Sequence, residues 1–165
     1  MSERMSKESK QFLNQNNLEK VIPPILALDY GEKNIGIAIT DKKGVIASPL
    51  EVYRVSKKKD DSFNQKLLNL IEKYNIKTIV IGMPQKLHEK HEESQRNIIG
   101  FKSEIEKLTS LKLFLYDESY STIDSYNELR GYGIKQKKAK KKIDKFAAAT
   151  FLQELIDLKN RSNES

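Results

Sequence analysis

Acidic residues stand at the ends of three separate predicted elements of the chain. They are Asp29 after the first predicted strand, Asp117 and Glu118 after the fifth, and Asp144 at the start of the last helix. Mg²⁺ takes oxygen ligands and keeps several waters. Two such ions about 4 Å apart can stabilise both the attacking and the leaving oxygen of a phosphodiester. Carboxylates from three elements could therefore hold a metal pair that hydrolyses nucleic acid.

Each of these residues also has an ordinary structural interpretation. Asp29 lies in the sequence Asp29-Tyr30-Gly31, which is typical of a turn. Asp144 could cap the helix that it precedes, because a negative charge is favourable at a helix start. Position alone therefore leaves the metal hypothesis open.

Hydrophobic spacing predicts the elements that carry these residues. We predict strands at residues 25–28, 34–40, 45–55, 78–82 and 111–116, and helices at residues 61–74, 98–108, 121–129 and 143–158. Short turns join the first three strands, so these are antiparallel neighbours. The later alternation of helix and strand predicts parallel strands. This order predicts an α/β protein with the RNase H-like fold, a five-stranded mixed sheet flanked by helices.

We expect one folded domain at residues 25–160, preceded by a flexible N-terminal extension at residues 1–24 and followed by a disordered tail at residues 161–165. The chain has no cysteine, which excludes disulfides and thiolate metal sites. No apolar run approaches the ~20 residues that a membrane span needs. Residues 1–20 lack the apolar core of a signal peptide. We therefore expect a cytoplasmic protein with no membrane partner.

The net charge of +7 and the isoelectric point of about 9.4 favour a polyanionic partner. Solubility alone is the alternative. Residues 135–145 hold seven lysines, and such a run is usually a solvated face. Because this run leads to Asp144, we predict a mobile basic loop that binds phosphates without reading sequence. The predicted nucleic-acid contacts are Lys33, Lys137, Lys138, Lys140, Lys141 and Lys145.

Four segments resemble, in order and spacing, the motifs of the YqgF family, also called RuvX, whose members are RuvC-like proteins proposed as Holliday junction resolvases. They are DYGEKNIG at residues 29–36, IGMP at 81–84, DESYST at 117–122, and IDK followed by three alanines at 143–149. Two departures stand out. Ser119 replaces the arginine of the family motif, and residues 85–92 replace its polar, glycine-containing segment.

The resemblance implies an acidic, metal-dependent active site whose carboxylates match Asp29, Glu118 and Asp144, with Mg²⁺ or Mn²⁺ as cofactor. It implies an endonuclease that processes the 5′ end of pre-16S rRNA during ribosome biogenesis. Holliday junction resolution is an alternative, and so is a non-catalytic nucleic-acid-binding assembly or transcription factor. The implied partners are pre-rRNA, branched DNA and ribosomal particles, and both a monomer and a homodimer remain open. A nucleotide-binding kinase of the actin–hexokinase class is a further alternative. Such a kinase needs two domains of this kind around a cleft, and this chain has room for one.

Overall fold

The computed structural model describes residues 12–14, 16–56, 60–83, 91–117 and 136–164, without the side chains of 83, 91–95, 117, 136–145 and 162–164. Its strands are β1 (Ile25–Asp29), β2 (Asn34–Thr40), β3 (Ala47–Arg54), β4 (Thr78–Met83) and β5 (Lys112–Asp117). A turn of 3-10 helix at Leu18–Lys20 precedes them. The helices are α1 (Ser62–Lys73), α2 (His91–Leu108) and α3 (Gln136–Glu164). The helix predicted at residues 121–129 lies outside the described residues.

The strands form one five-stranded sheet in the order β3-β2-β1-β4-β5. Strand β2 pairs antiparallel with both β1 and β3, whereas β4 pairs parallel with both β1 and β5. Short turns allow the antiparallel pairs, and the crossovers through α1 and α2 allow the parallel ones. The predicted RNase H-like fold with its mixed sheet is confirmed.

The strands alternate their side chains between two apolar cores, one on each face of the sheet. On the face covered by α1 and α2, Leu28 packs in a core with Leu67 and Ile105. On the opposite face, which we call the α3 face, Ala27 packs in a core with Leu152. Because β1 is covered on both faces, its sequence is apolar without a polar alternation.

Residues before β1 contribute to the core of the domain. Leu18 and Val21 are buried on the α3 face. The Leu13 N–H donates to the Leu115 carbonyl at 2.8 Å, and the Ile22 N–H donates to Thr78 Oγ1 at 2.9 Å. The described part of residues 1–24 is thus packed on the domain, unlike the flexible extension expected from its polar composition.

Helix α3 begins at Gln136, eight residues before Asp144. The prediction of a basic loop is therefore wrong from residue 136 onward, and Asp144 does not cap a helix start. The physical reason is composition, because residues 136–142 are only Gln, Lys and Ala, which are all good helix formers. The helix continues to Glu164, so residues 161–164 of the expected tail are helical. None of the helices in the described part of the chain is long and apolar enough to cross a membrane.

Candidate active site

Asp29 ends β1, which lies in the middle of the sheet between β2 and β4. The strand register pairs Asp29 with Gly36 on β2 and with Gly82 on β4. Alternation from Ala27 assigns Asp29 to the α3 face, and paired residues share a face. Gly36, Asp29 and Gly82 thus form one row across β2, β1 and β4. Both neighbours of Asp29 in this row are glycines and lack a side chain. The half-buried carboxylate is accordingly not crowded by its strand partners.

The carboxyl end of β5 reaches the same edge of the sheet. Tyr116 pairs with Gly82 and so lies in the row of Asp29, and Asp117 follows one step further. The Tyr116 ring stacks on Phe151 of α3, with centroids 5.6 Å apart, so Tyr116 lies on the α3 face. Because strand residues alternate, position 117 belongs to the opposite face of the sheet. Glu118 itself lies outside the described residues.

Helix α3 is fixed at the opposite edge of the sheet. The Gln153 side chain accepts the Ala47 N–H at 2.8 Å and donates to the Val45 carbonyl at 3.0 Å. Ala47 pairs with Thr40, whose Oγ1 accepts the Ile25 N–H at 2.9 Å. Gln153 is therefore level with the start of β1. Seven residues further on, Asn160 donates to the Gly44 carbonyl of the β2–β3 turn, so the helix runs back toward Asp29 in its N-terminal direction.

Measured from the level of Gln153 and Ile25, the length of α3 back to Asp144 is similar to the length of β1 up to Asp29. Asp144 precedes Gln153 by nine residues, about 13.5 Å of helix. Asp29 follows Ile25 by four residues, about 13 Å of strand. Position 144 also lies four residues before the buried Ala148, on the stripe of the helix that packs on the sheet. A helix parallel to β1 would thus bring the backbone at residue 144 to about the level of Asp29, and the Asp144 side chain lies outside the description.

Of the predicted phosphate-binding lysines, Lys33 lies at the same edge of the sheet. Lys33 is exposed in the β1–β2 turn, and its carbonyl accepts the Val55 N–H at 2.8 Å. The other predicted lysines lie on the first turns of α3, where the backbone is described and the side chains are not; they are Lys137, Lys138, Lys140, Lys141 and Lys145. Gln136 precedes Asp144 by eight positions, which is about 12 Å of helix.

The turn after β1 is held by contacts of its own. A Cβ at Gly31 would lie 2.6 Å from the Asn34 carbonyl oxygen, so glycine is required there by the close approach of the turn's backbone. The Tyr30 ring lies 4.7 Å from the Phe101 ring on the other face. Burial raises the pKa of Tyr30, and Glu32 and Glu104 raise it further. Tyr30 therefore stays neutral at physiological pH and anchors the turn that follows Asp29.

Among the residues whose side chains are described, no three His, Asp or Glu residues gather into a metal site. That set does not include Glu118 or Asp144, so the predicted carboxylate trio stays a prediction.

Sequence reasoning missed the glycine pair around Asp29. Gly36 and Gly82 each belong to a motif, DYGEKNIG and IGMP, and neither motif by itself places its glycine beside Asp29. A glycine inside an apolar strand is a signal of close backbone approach. The parallel pairing of β1 with β4 was needed to bring Gly82 beside Asp29, and local sequence does not reveal that register.

The five-stranded mixed sheet, with Asp29 at the end of its central strand and Asp117 at the end of its fifth, places the chain in the class of RNase H-like proteins. Within that class, a family model described as "RuvX: Holliday junction resolvase" matches residues 24–158. The chain belongs to the RuvX family.

Relatives match nearly the whole chain. A Rickettsia bellii protein named "Putative pre-16S rRNA nuclease" is 34% identical over 152 residues, which cover 88% of this chain and 97% of that protein. A Staphylococcus saprophyticus protein of the same name is 33% identical over 142 residues, covering 81% and 94% of the two chains. Among solved structures, RuvC of T. thermophilus in complex with a Holliday junction substrate matches with a TM-score of 0.49 at 12% identity, covering 84% and 96%.

Proposed function

We propose that this chain hydrolyses phosphodiester bonds with divalent metal ions, and that Asp29, Glu118 and Asp144 provide the carboxylate ligands. The observation that carries the proposal is the position of Asp29 at the carboxyl edge of the central strand. The length of α3 from Gln153 to residue 144, about 13.5 Å, is similar to that of β1, about 13 Å, which supports a place for Asp144 nearby. Ligands of open α/β sheets gather at this edge. Tyr116 lies in the same row as Asp29 and precedes Glu118 by only two residues, which supports a shared site.

The surroundings of Asp29 suit a hydrated dication. Gly36 and Gly82 leave the row beside the carboxylate without side chains. Carboxylate oxygens are the ligands that Mg²⁺ and Mn²⁺ prefer. Bound ions would stabilise the negative charge that develops on the phosphate during hydrolysis.

The lysines of α3 serve to bind the phosphate backbone. Positions 137 and 141 lie one heptad before positions 144 and 148, so they continue the sheet-facing stripe of the helix past the edge of the sheet. Lysines there neutralise phosphates without reading bases. Lys33 contributes from the β1–β2 turn.

The substrate that we favour is the 5′ end of pre-16S rRNA during ribosome biogenesis. The two relatives described above are named as nucleases of pre-16S rRNA, and the match covers more than nine-tenths of each. A four-way DNA junction is the second candidate, because the family description names Holliday junction resolution. We further propose that the protein acts in the cytoplasm on ribosomal particles.

The test measures cleavage of an end-labelled pre-rRNA leader and of a four-way DNA junction by the full chain, with Mg²⁺, Mn²⁺ or EDTA. Asp29→Asn should lower the metal-dependent rate on the order of a thousandfold, because Asn keeps the shape of Asp but removes a charged ligand. Nucleic-acid binding should persist. Asp157→Asn is the matched control, since Asp157 is exposed on α3 toward the opposite edge, and it should keep the rate.

Further variants separate the members of the site. Glu118→Gln and Asp144→Asn should behave like Asp29→Asn, and combining them should add little, because ligands of one site act as a unit. Asp117→Asn should retain activity, because alternation assigns position 117 to the other face. A similar metal-dependent rate for wild type and Asp29→Asn would contradict the site. A wild type that binds rRNA without cutting any substrate would favour the assembly-factor alternative.

A further inference from the structure

An N-terminal arm, residues 12–21 without residue 15, covers the edge of β5 beside the candidate site. Among the described strands, β5 pairs only with β4. Phe12 forms a parallel bridge with Leu115, and the Leu13 N–H donates to the Leu115 carbonyl at 2.8 Å. Leu115 precedes Glu118 by three residues. The arm therefore contacts the strand just before the predicted ligand.

The arm holds β5 from both faces of the sheet. Phe12 packs against the core of the α1/α2 face, and Leu13 packs against the core of the α3 face. Phe12 and Leu13 thus pack on opposite faces of the sheet next to β5, and the hydrogen bond to the Leu115 carbonyl fixes their position along this strand. Because an edge strand has one side without strand partners, such contacts restrain an end that would otherwise be held from one side only.

Asn17 gives the arm its shape. It is 7% exposed; its Oδ1 accepts the Asn14 N–H at 2.7 Å, and its Nδ2 donates to the Phe12 carbonyl at 2.8 Å. These two bonds close the turn that directs residues 12 and 13 onto β5. Beyond the turn, the Thr78 hydroxyl accepts the Ile22 N–H and donates to the Ile22 carbonyl, both at 2.9 Å. The segment is therefore anchored at both ends.

We propose that the arm positions the carboxyl end of β5, and with it Glu118, and that Asn17 is the positioning residue that sets its geometry. The inference rests on the proposed metal-dependent hydrolysis. The family match begins at residue 24, so the arm precedes the matched region. It would act by fixing where Glu118 lies relative to Asp29 across β4.

The test compares Asn17→Ala with Thr40→Ala, its matched control. Thr40 is 4% exposed and accepts a buried N–H, but it lies at the opposite edge of the sheet. Both variants should lower the melting temperature. Only Asn17→Ala should lower kcat, on the order of ten- to a hundredfold as expected for a misplaced group. It should also raise the Mg²⁺ concentration for half-maximal rate, while KM for the nucleic acid stays unchanged.

Hydrogen exchange at residues 115–117 gives a readout that does not depend on activity. Asn17→Ala should lose protection there, and Thr40→Ala should not. Unchanged protection in Asn17→Ala, or an equal fall of kcat in both variants, would overturn the proposal. An inactive wild type would instead overturn the proposed function, and the exchange data would then decide alone whether the arm fixes β5.

Discussion

Charge on the first turns of α3 can be removed without disturbing the helix. Lys137→Gln combined with Lys141→Gln keeps two good helix formers and lowers the net charge from +7 to +5. We expect the double variant to bind all nucleic-acid sequences more weakly by a similar factor. The reason is that phosphate contacts carry no sequence information.

Helix geometry sets the size of the effect. Lys137 and Lys141 are four residues apart, about 6 Å along the axis, and both lie on the stripe of Asp144. Each lost phosphate contact lowers the slope of log affinity against log salt by about 0.7 for single strands and 0.9 for duplexes. The double variant should therefore lower the slope by about 1.4 to 1.8. Lys138 and Lys140 lie on either side of the stripe, so replacing that pair should lower it less.

The assay is fluorescence anisotropy of a labelled RNA, titrated at several salt concentrations between about 50 and 200 mM. Lys42→Gln combined with Lys43→Gln is the matched control. It removes the same charge from exposed positions in the β2–β3 turn, at the opposite edge of the sheet. Equal slope changes in the two double variants would show that net charge alone governs binding. That result would refute the role given to α3.

Two further predictions concern stability. Val21→Ala should lower the free energy of unfolding in urea by about 2 kcal/mol, because Val21 is fully buried. Ile22→Ala, at a 53% exposed position, should change that free energy by no more than about 0.5 kcal/mol. Equal losses of stability in the two variants would contradict the packing of the arm. The N–H groups of Ile46 and Val45 lower the pKa of Asp41, so its stabilising effect is present at neutral pH and is lost as the pH falls through its folded pKa. The stability difference between wild type and Asp41→Asn should accordingly shrink at acid pH, and a constant difference would contradict this account.

The sequence predicted the strands well where one physical signal dominates. The run at residues 34–40 is rich in β-branched residues and coincides with β2, and the unbroken apolar run at 78–82 matches β4 within one residue. The order of elements then determined the mixed sheet, because short turns and helical crossovers each permit only one strand orientation. The position of Asp29 at a strand end followed directly.

The start of α3 and the packing of the N-terminal arm could not be predicted in this way, because in each the sequence carries two opposing signals. A lysine run is polar like a loop, yet lysine favours helix, and no glycine or proline interrupts residues 136–144. The N-terminal arm is mostly polar, yet its few apolar residues pack against the two cores. The overall composition of such a segment does not show which of its residues pack against the core. Only packing shows that Leu18 and Val21 fill the α3-face core.

The earlier start of α3 changes what its lysines can contribute to catalysis. A loop would present its charges over a range of positions and would supply affinity alone. A helix fixes Lys141 about 4.5 Å and Lys137 about 10.5 Å before Asp144 along one axis. Phosphates held by these lysines would therefore lie at set distances from the carboxylates. Positioning of this kind lowers the entropic part of the barrier, so the helix would help to select which phosphodiester meets the metal site. Shifting the register by inserting one alanine after Lys142 should then move the cleavage position, whereas an affinity-only role predicts weaker binding with unchanged cleavage products.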